Sequence, residues 1–266
     1  MSRMQRRGRG QSPQLEITLS ESDGIRYLHF GTPWVQGAMR VRRPDELALD
    51  YARHMMAWLL FRNGPVRVAQ LGLGAGSLTR WVHKHLPEST ITVVELSPAV
   101  VAVAQSHFKL PREDERFELV IEDAQAFATH PRRRAMFDVV QIDIFDAQVR
   151  GPALDSIEFY RGCRNMLDAG GVAIVNLFGE VPSYERNYRN LREAFDGRLL
   201  VLPPVEAGNV IVLGLAPGAG PWRWSELYAR ADEIETRHGL KARGWVEGLR
   251  ASADGGAGDQ GLILAG

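Results

Sequence analysis

The sequence predicts an α/β fold: a doubly wound, mostly parallel, seven-stranded sheet with a small antiparallel β-meander at its N-terminal side. Three observations predict it. From Val68 onward, short apolar runs alternate with helical stretches, so successive strands are joined by crossovers and run parallel. The last two runs are separated only by Pro203-Pro204-Val205-Glu206-Ala207-Gly208-Asn209, too short for a helix, so the final strand turns back antiparallel. Ahead of them lie three short segments divided by turn signals, the pattern of a meander.

In chain order, Met1 to Gly10 is basic and no apolar segment follows it. Residues 1–14 therefore read as a disordered basic tail, not a secretory signal. Leu15–Leu19 alternates, Ser22-Asp23-Gly24 marks a turn, Ile25–Phe30 alternates again, Gly31-Thr32-Pro33 breaks it, and Val35–Val41 resumes. Pro44, just ahead of Asp45 and Glu46, opens a helix expected to reach about Phe61, with Leu47, Tyr51, His54, Met55 and Trp58 at helical spacing. Meander and helix make one unit, 15–62. After Asn63-Gly64-Pro65 a Rossmann-like unit is expected over 63–250. Its strands are Val68–Leu71, Ile91–Glu95, Phe117–Ile121, Phe137–Asp143, Val172–Asn176, Leu199–Leu202 and Val210–Leu215. Its helices are Ser77–His85, Pro98–Phe108, Ala124–Thr129, Ser156–Leu167 and Tyr184–Phe195. Five parallel strands ending in a hairpin match a methyltransferase-like sheet better than a dinucleotide dehydrogenase. A helix over Trp224–Arg237 is expected on the sheet or over its cleft, and residues 251–266, rich in Ala, Gly, Ser and Asp, as a flexible tail.

Composition narrows the function. The 266 residues are 45% hydrophobic, ample for a large core. The 32 basic and 32 acidic side chains cancel, which argues against nucleic acid or a membrane surface as partner. No apolar run is long enough to span a bilayer. Cys163 is the sole cysteine, so no internal disulfide forms and a cytoplasmic location is expected. Cys163 reads as a small buried hydrophobe. His83 and His85 read as surface residues, and His54 and His107 as structural ones. No His or Cys spacing suits a metal, so none is expected. The P-loop ending is absent, as is a Gly-x-Ser-x-Gly elbow. Trp222, Trp224 and Trp245 read as core or interface anchors.

Four strand ends carry the chemistry. Gly72, Gly74 and Gly76, in Gly72-Leu73-Gly74-Ala75-Gly76, let a ligand approach the backbone closely. Glu95 ends the next strand, where a carboxylate accepts from two ribose hydroxyls. Asp123 and Ala124 follow the third. A carboxylate there serves an adenine amino group or caps the following helix, while a small neighbour admits the ring. Asp143-Ile144-Phe145-Asp146 follows the fourth, where two carboxylates can hold an amine and remove its proton.

This set resembles the spermidine synthase (polyamine aminopropyltransferase) family. The similarity runs from about Leu28 to Leu213. It is carried by Val68–Leu78, Val93–Pro98, Asp123–Phe127, Phe137–Asp146, Gly151-Pro152 with Phe159-Tyr160, and Leu167–Val175. The resemblance implies binding of decarboxylated S-adenosylmethionine and aminopropyl transfer to a putrescine-like diamine, with release of methylthioadenosine. It implies Asp143 as the catalytic aspartate, Asp146 as a second substrate-binding aspartate, Glu95 on the ribose, and Asp123 and Ala124 on the adenine. Gln36 matches a family glutamine beside the cofactor tail. Tyr51 is assigned to substrate binding, within Leu49-Asp50-Tyr51, which replaces the family's Tyr-His/Gln-Glu. The chain departs at Ala75, where the family usually carries an acid, and at Ile144, Phe145 and Ala147 of the Asp-Ser-Ser-Asp-Pro motif. Pro203-Pro204-Val205 replaces a late Tyr-Pro. Cofactor elements are thus better kept than diamine elements. Two alternatives share the fold: an S-adenosylmethionine-dependent methyltransferase, and a catalytically degenerate adenosyl-binding paralogue. The expected partner is a small-molecule amine, and a homodimer is left open.

Overall fold

The computed structural model describes residues 16–145, 155–179, 182–205, 207–254 and 263–264. β1 (Ile17–Ser22), β2 (Ile25–Phe30) and β3 (Val35–Arg40) form an antiparallel three-stranded sheet. Asp23 and Gly24, at φ 52° and 71°, make the tight two-residue hairpin turn that matches strand twist.

The long helix expected from Pro44 to Phe61 does not form. Residues 43–49 are irregular, α1 spans only Asp50–His54, and a single 3-10 turn covers Ala57–Leu60. Buried side chains take the backbone carbonyls that a continuous helix would use. Gln141 Nε2 donates to Met55 O at 3.1 Å, and Arg80 Nε to Pro44 O at 2.8 Å. Of the positions at helical spacing, Leu47, Met55 and Trp58 are nonetheless buried, while Tyr51 and His54 are partly buried.

The main sheet follows: β4 (Arg67–Leu71), α2 (Ser77–His85), β5 (Thr90–Glu95), α3 (Pro98–His107), β6 (Phe117–Ile121), α4 (Ala124–Thr129), β7 (Phe137–Ile142), α5 (Ile157–Met166), β8 (Leu167–Phe178), α6 (Tyr184–Ala194), β9 (Leu199–Val201) and β10 (Asn209–Leu215). Strand order is β6-β5-β4-β7-β8-β10-β9. The β6–β5, β5–β4, β4–β7 and β7–β8 pairs are parallel, and β10 runs antiparallel to both β8 and β9. Alternate residues serve opposite faces. Val68, Val93, Val139, Val172 and Ile174 pack towards Trp58, α2 and the C-terminal helices. Ala69, Val94, Val140, Ala173 and Val175 pack towards α4, α5 and α6. The chain goes out from β4 to β5 and β6 on one side and returns to β7 on the other. A crevice therefore opens at the C-terminal edge between β4 and β7, where ligands of such sheets bind.

The C-terminal part comprises β11 (Trp222–Arg223), α7 (Trp224–His238), α8 (Ala242–Asp254) and β12 (Ile263–Leu264), which pairs with β11 in parallel. α8 was not anticipated, and it takes in residues 251–254 of the segment expected to be a flexible tail; residues 255–262 lie outside the described part. α7 packs beside the 3-10 turn, with Arg230 Nε on Leu59 O at 3.0 Å, and not over the cleft. Trp222 meets Phe61 edge-on at 4.8 Å, and Trp245 is buried. His85, expected at the surface, is half-buried: it stacks on buried Trp81 at 4.8 Å, with His238 beside it. Among the described residues no helix is long and apolar enough to cross a membrane.

Candidate active site

A cavity of about 760 Å³ occupies the crevice. Its volume lies within the range of small-molecule sites. The glycine loop after β4 forms its floor. Gly72 has φ 96°, and a Cβ there would stand 2.2 Å from Asp143 O. Gly74 has φ 52°, and a Cβ there would stand 3.0 Å from Gln36 O. These two glycines let the tips of β4 and β7 and the end of the meander close on one another. Gly76 caps α2 and does not line the cavity. Beneath the loop, buried Arg80 donates to Ala75 O and, at 2.7 Å, to Phe108 O. Burial lowers its guanidinium to about 10, against the opposing charge of Asp45. Ala75 itself is buried against the meander: a Cβ on Gly37 would lie 2.6 Å from its own.

Glu95 ties this loop to β5. Its Oε2 accepts from Leu73 N at 3.1 Å and its Oε1 from Ser97 N at 2.9 Å. Burial raises the carboxyl above its ordinary value, and backbone N–H groups of Ser97, Leu73, Leu96 and Gly74 oppose the rise. With these donors around it, the carboxylate still lines the cavity.

Asp143 stands just past β7, its N–H on Leu71 O at 2.9 Å. Oδ1 accepts from Asn176 Nδ2 at 2.9 Å, and Oδ2 from the Tyr51 hydroxyl at 3.4 Å. Asn176 Oδ1 in turn accepts from Asn209 Nδ2 at 2.9 Å. Burial pushes the Asp143 carboxyl up, and the two hydrogen bonds work against it. Burial, and then the Asp143 charge, hold the Tyr51 phenol well above its usual value. Behind them Thr79 Oγ1 donates to Gln70 Oε1 (2.6 Å), Gln70 Nε2 to Gln141 Oε1 (2.8 Å), and Gln141 to Met55 O. This buried chain ends α1 and so sets where Tyr51 stands.

Of the residues singled out from sequence, Gly72, Gly74, Glu95, Asp143, Gln36 and Tyr51 meet in this cavity. Asp123 and Ala124 do not line it. Asp123 is exposed and caps α4, Oδ1 accepting from Ala126 N at 2.9 Å, and Ala124 is buried behind it. Asp146 lies outside the described residues. Two apolar side chains lie exposed at these strand ends: Leu96, 66% exposed at the cavity, and Ile121, 54% exposed, the register partner of Glu95 on the neighbouring strand. Sequence reasoning missed Asn176, Asn209, Trp34 and Phe178. Asn176 had a signal, a polar residue interrupting the apolar run from Val172 to Phe178. Trp34 had none. It meets Phe178 edge-on at 6.4 Å across the far end of the cavity, and its carbonyl contacts His29 Nδ1 at 3.1 Å.

The walls are one-sided in charge. Among the described lining residues Asp50, Glu95 and Asp143 are acidic, and none is Lys, Arg or His. Such a lining attracts cations, and among its described residues no cationic side chain is present to pair with a ligand carboxylate. Among the described residues no group of three or more His, Cys, Asp or Glu converges as a metal site.

Residues 50–193 match the family model of the spermine/spermidine synthase domain. A polyamine aminopropyltransferase of Neisseria meningitidis serogroup A is 37% identical, with 89% of this chain and 90% of that protein covered. One from Chromobacterium violaceum is 34% identical over 88% and 89%. Among solved structures, a probable spermidine synthase from Corynebacterium glutamicum superposes with a TM-score of 0.67 at 19% identity, covering 91% of this chain and 94% of the other.

Proposed function

This chain belongs to the spermine/spermidine synthase family, and from that premise we propose that its cavity takes decarboxylated S-adenosylmethionine and passes the aminopropyl group to a small diamine. The observation that carries the cofactor choice is the charge of the cavity: Glu95 and Asp143 inside it, Asp50 at its rim in an ion pair with Arg53, and no basic residue among the described lining. A decarboxylated tail brings an ammonium and a sulfonium to such walls. A methionine tail brings a carboxylate as well, and that carboxylate finds no cationic partner among the described residues. Ala75 does not disturb this assignment, because its side chain is turned to Gly37 and is not among the lining residues.

In this reading Glu95, which lines the cavity, accepts from the ribose hydroxyls alongside its backbone donors, and Gly72 and Gly74 admit the nucleoside to the backbone. The adenine rests on Leu96 and Ile121, which brings it towards Asp123. The sulfonium makes its attached methylene electrophilic. The acceptor nitrogen bonds to that carbon, the carbon–sulfur bond breaks, and its electron pair stays on sulfur in methylthioadenosine. The acceptor must lose a proton to attack, because an alkylamine is an ammonium at neutral pH. Asp143 receives that proton. Its burial makes it a better base than an exposed aspartate, and the fixed Asn176 and Tyr51 donors aim it. Gln36 and Tyr51 flank the aminopropyl tail, and the Trp34–Phe178 corner bounds the acceptor's far end. Asp146 is proposed as the partner of the acceptor's second ammonium.

The test is product identity. Incubation with decarboxylated S-adenosylmethionine and 1,4-diaminobutane is expected to release methylthioadenosine, with Asp143→Asn at least a hundredfold slower. Release of S-adenosylhomocysteine from S-adenosylmethionine with an amine, and none of methylthioadenosine, refutes the proposal.

A further inference from the structure

Asn176 and Asn209 are buried polar side chains at a site otherwise bounded by the sheet, 2% and 9% exposed. They come from adjacent antiparallel strands. Asn176 faces Ile211 in register and Asn209 faces Phe178, so the two asparagines are diagonal neighbours on one face, within side-chain reach. Their hydrogen bonds all point one way: Asn209 Nδ2 to Asn176 Oδ1, then Asn176 Nδ2 to Asp143 Oδ1, both at 2.9 Å. A primary amide donates at one end and accepts at the other. Whichever end of Asn176 is fixed by a neighbour therefore decides which end Asp143 meets.

We propose that Asn209 is a positioning residue: by holding the carbonyl end of the Asn176 amide it turns the N–H end to Asp143 and keeps the base hydrogen-bonded and aimed. The proposal rests on the reading of Asp143 as the base of the transfer. Without Asn209 the Asn176 carbonyl is left buried and unpaired, a costly state that favours turning the amide over. The turned amide puts a carbonyl against a carboxylate, and the carboxylate answers by holding its proton. Tyr51 from α1 is the other described donor to Asp143, and Asp50 and Glu95 are the other described charges on the cavity wall. None of these is altered by a change at position 209.

Asn209→Asp separates orientation from packing, since it keeps the shape and exchanges the donor for an acceptor. The acid limb of kcat/KM for the amine is expected to rise by about one pH unit, a tenfold loss of ionised base below the limb. The new charge also acts through space, so the substitution is repeated in an Asn176→Ala background, where the shift is expected to fall below half. Equal shifts in both backgrounds, or no shift in the first, overturn the proposal. Titrating the Asp143 carboxyl by carbon NMR, assigned by difference from Asp143→Asn, reads the same shift without turnover. An inactive wild type would therefore defeat the functional reading while the titration still decided this one. If Asn209→Asp does not fold, Asn209→Ala is expected to speed hydrogen exchange at Asn176 Nδ2 at least tenfold; unchanged exchange overturns the proposal.

Discussion

Gly72→Ala is the sharpest test of how the site is built. Two costs follow from the structure. At φ 96° an alanine sits outside the regions L-residues favour, which costs about 1–2 kcal/mol. Its Cβ would also stand 2.2 Å from Asp143 O, against 3.4 Å for ordinary contact, so the tips of β4 and β7 must part by more than an ångström. Forcing a methyl into a packed site costs a further ~1–3 kcal/mol. The same movement stretches the 2.9 Å bond from Asp143 N to Leu71 O that joins the two tips. The total, about 2–5 kcal/mol, is a large fraction of a typical stability of about 5–15 kcal/mol. It lowers the melting temperature by roughly 4–20 °C at the usual conversion for a chain of this size. The catalytic effect is larger in proportion, because a misplacement of about 1 Å at a reacting group can cost on the order of a hundredfold. Gly74→Ala is the control. Its φ of 52° lies in the left-handed well and its Cβ would stand 3.0 Å from Gln36 O, so a shift of a few tenths of an ångström relieves it. Thermal melts and methylthioadenosine release are measured on both. Gly72→Ala within twofold of wild-type turnover, or Gly74→Ala the more damaged, refutes the reasoning.

Two further outcomes follow from the buried acids. Burial raises the Asp143 carboxyl pKa on folding, so the folded state holds that proton to higher pH than the unfolded chain. Folding stability is therefore lost as pH rises from the unfolded carboxylate range through the folded value, and the full penalty is present above both. Asp143→Asn is expected to melt higher than wild type at pH 7–8, with the gap closing towards about pH 4 as the wild-type carboxyl gains its proton. A lower melting temperature for the variant at pH 7.5 contradicts this assignment. Glu95→Gln is the second case. An amide in place of this carboxylate turns an N–H against the backbone N–H of Leu73 or Ser97, leaving a buried donor unpaired. That cost, about 1–3 kcal/mol, shows as a lower melting temperature, while loss of the charged acceptor facing the ribose, about 1.5–3 kcal/mol, weakens methylthioadenosine binding roughly 10- to 150-fold by calorimetry, and unchanged affinity removes Glu95 from the nucleoside site.

The sequence was legible where the physics is local. The glycine loop, Glu95 and Asp143 sit at strand ends, and strand ends follow from runs of apolar residues bounded by turns. The expected strands accordingly agree with those formed to within two residues, except β1, which runs on to Ser22 and not Leu19, and β8, which starts at Leu167 and not Val172. Legibility failed where distant side chains override the local pattern. Residues 44–61 have the spacing of one helix, yet Gln141 and Arg80, 86 and 36 positions away from the carbonyls they take, break it. Asp123 shows the same limit at a site residue: the requirement for a helix cap and for an adenine contact place the same residue type at the same position. Asn209 was invisible for another reason. Its partner lies 33 residues away on a neighbouring strand, and only the register of β8 against β10 brings them together.

That register depends on the direction of one strand. Neighbouring strands lie about 4.8 Å apart, so a sheet edge acts as a ruler. Glu95 on β5, Gly72 after β4, Asp143 after β7, Asn176 on β8 and Asn209 on β10 occupy five successive strands. Two spacings, ~10 Å, separate Glu95 from Asp143. Two more reach Asn209. In a fully parallel sheet the residue that begins the seventh strand would lie at the opposite edge, a full strand length from the crevice. Because the loop from Pro203 to Gly208 is too short for a crossover, β10 runs backwards and its first residue arrives at the edge where the other strands end. The same short loop that foretold an antiparallel strand thus delivers the last member of the chain of amides that reaches Asp143.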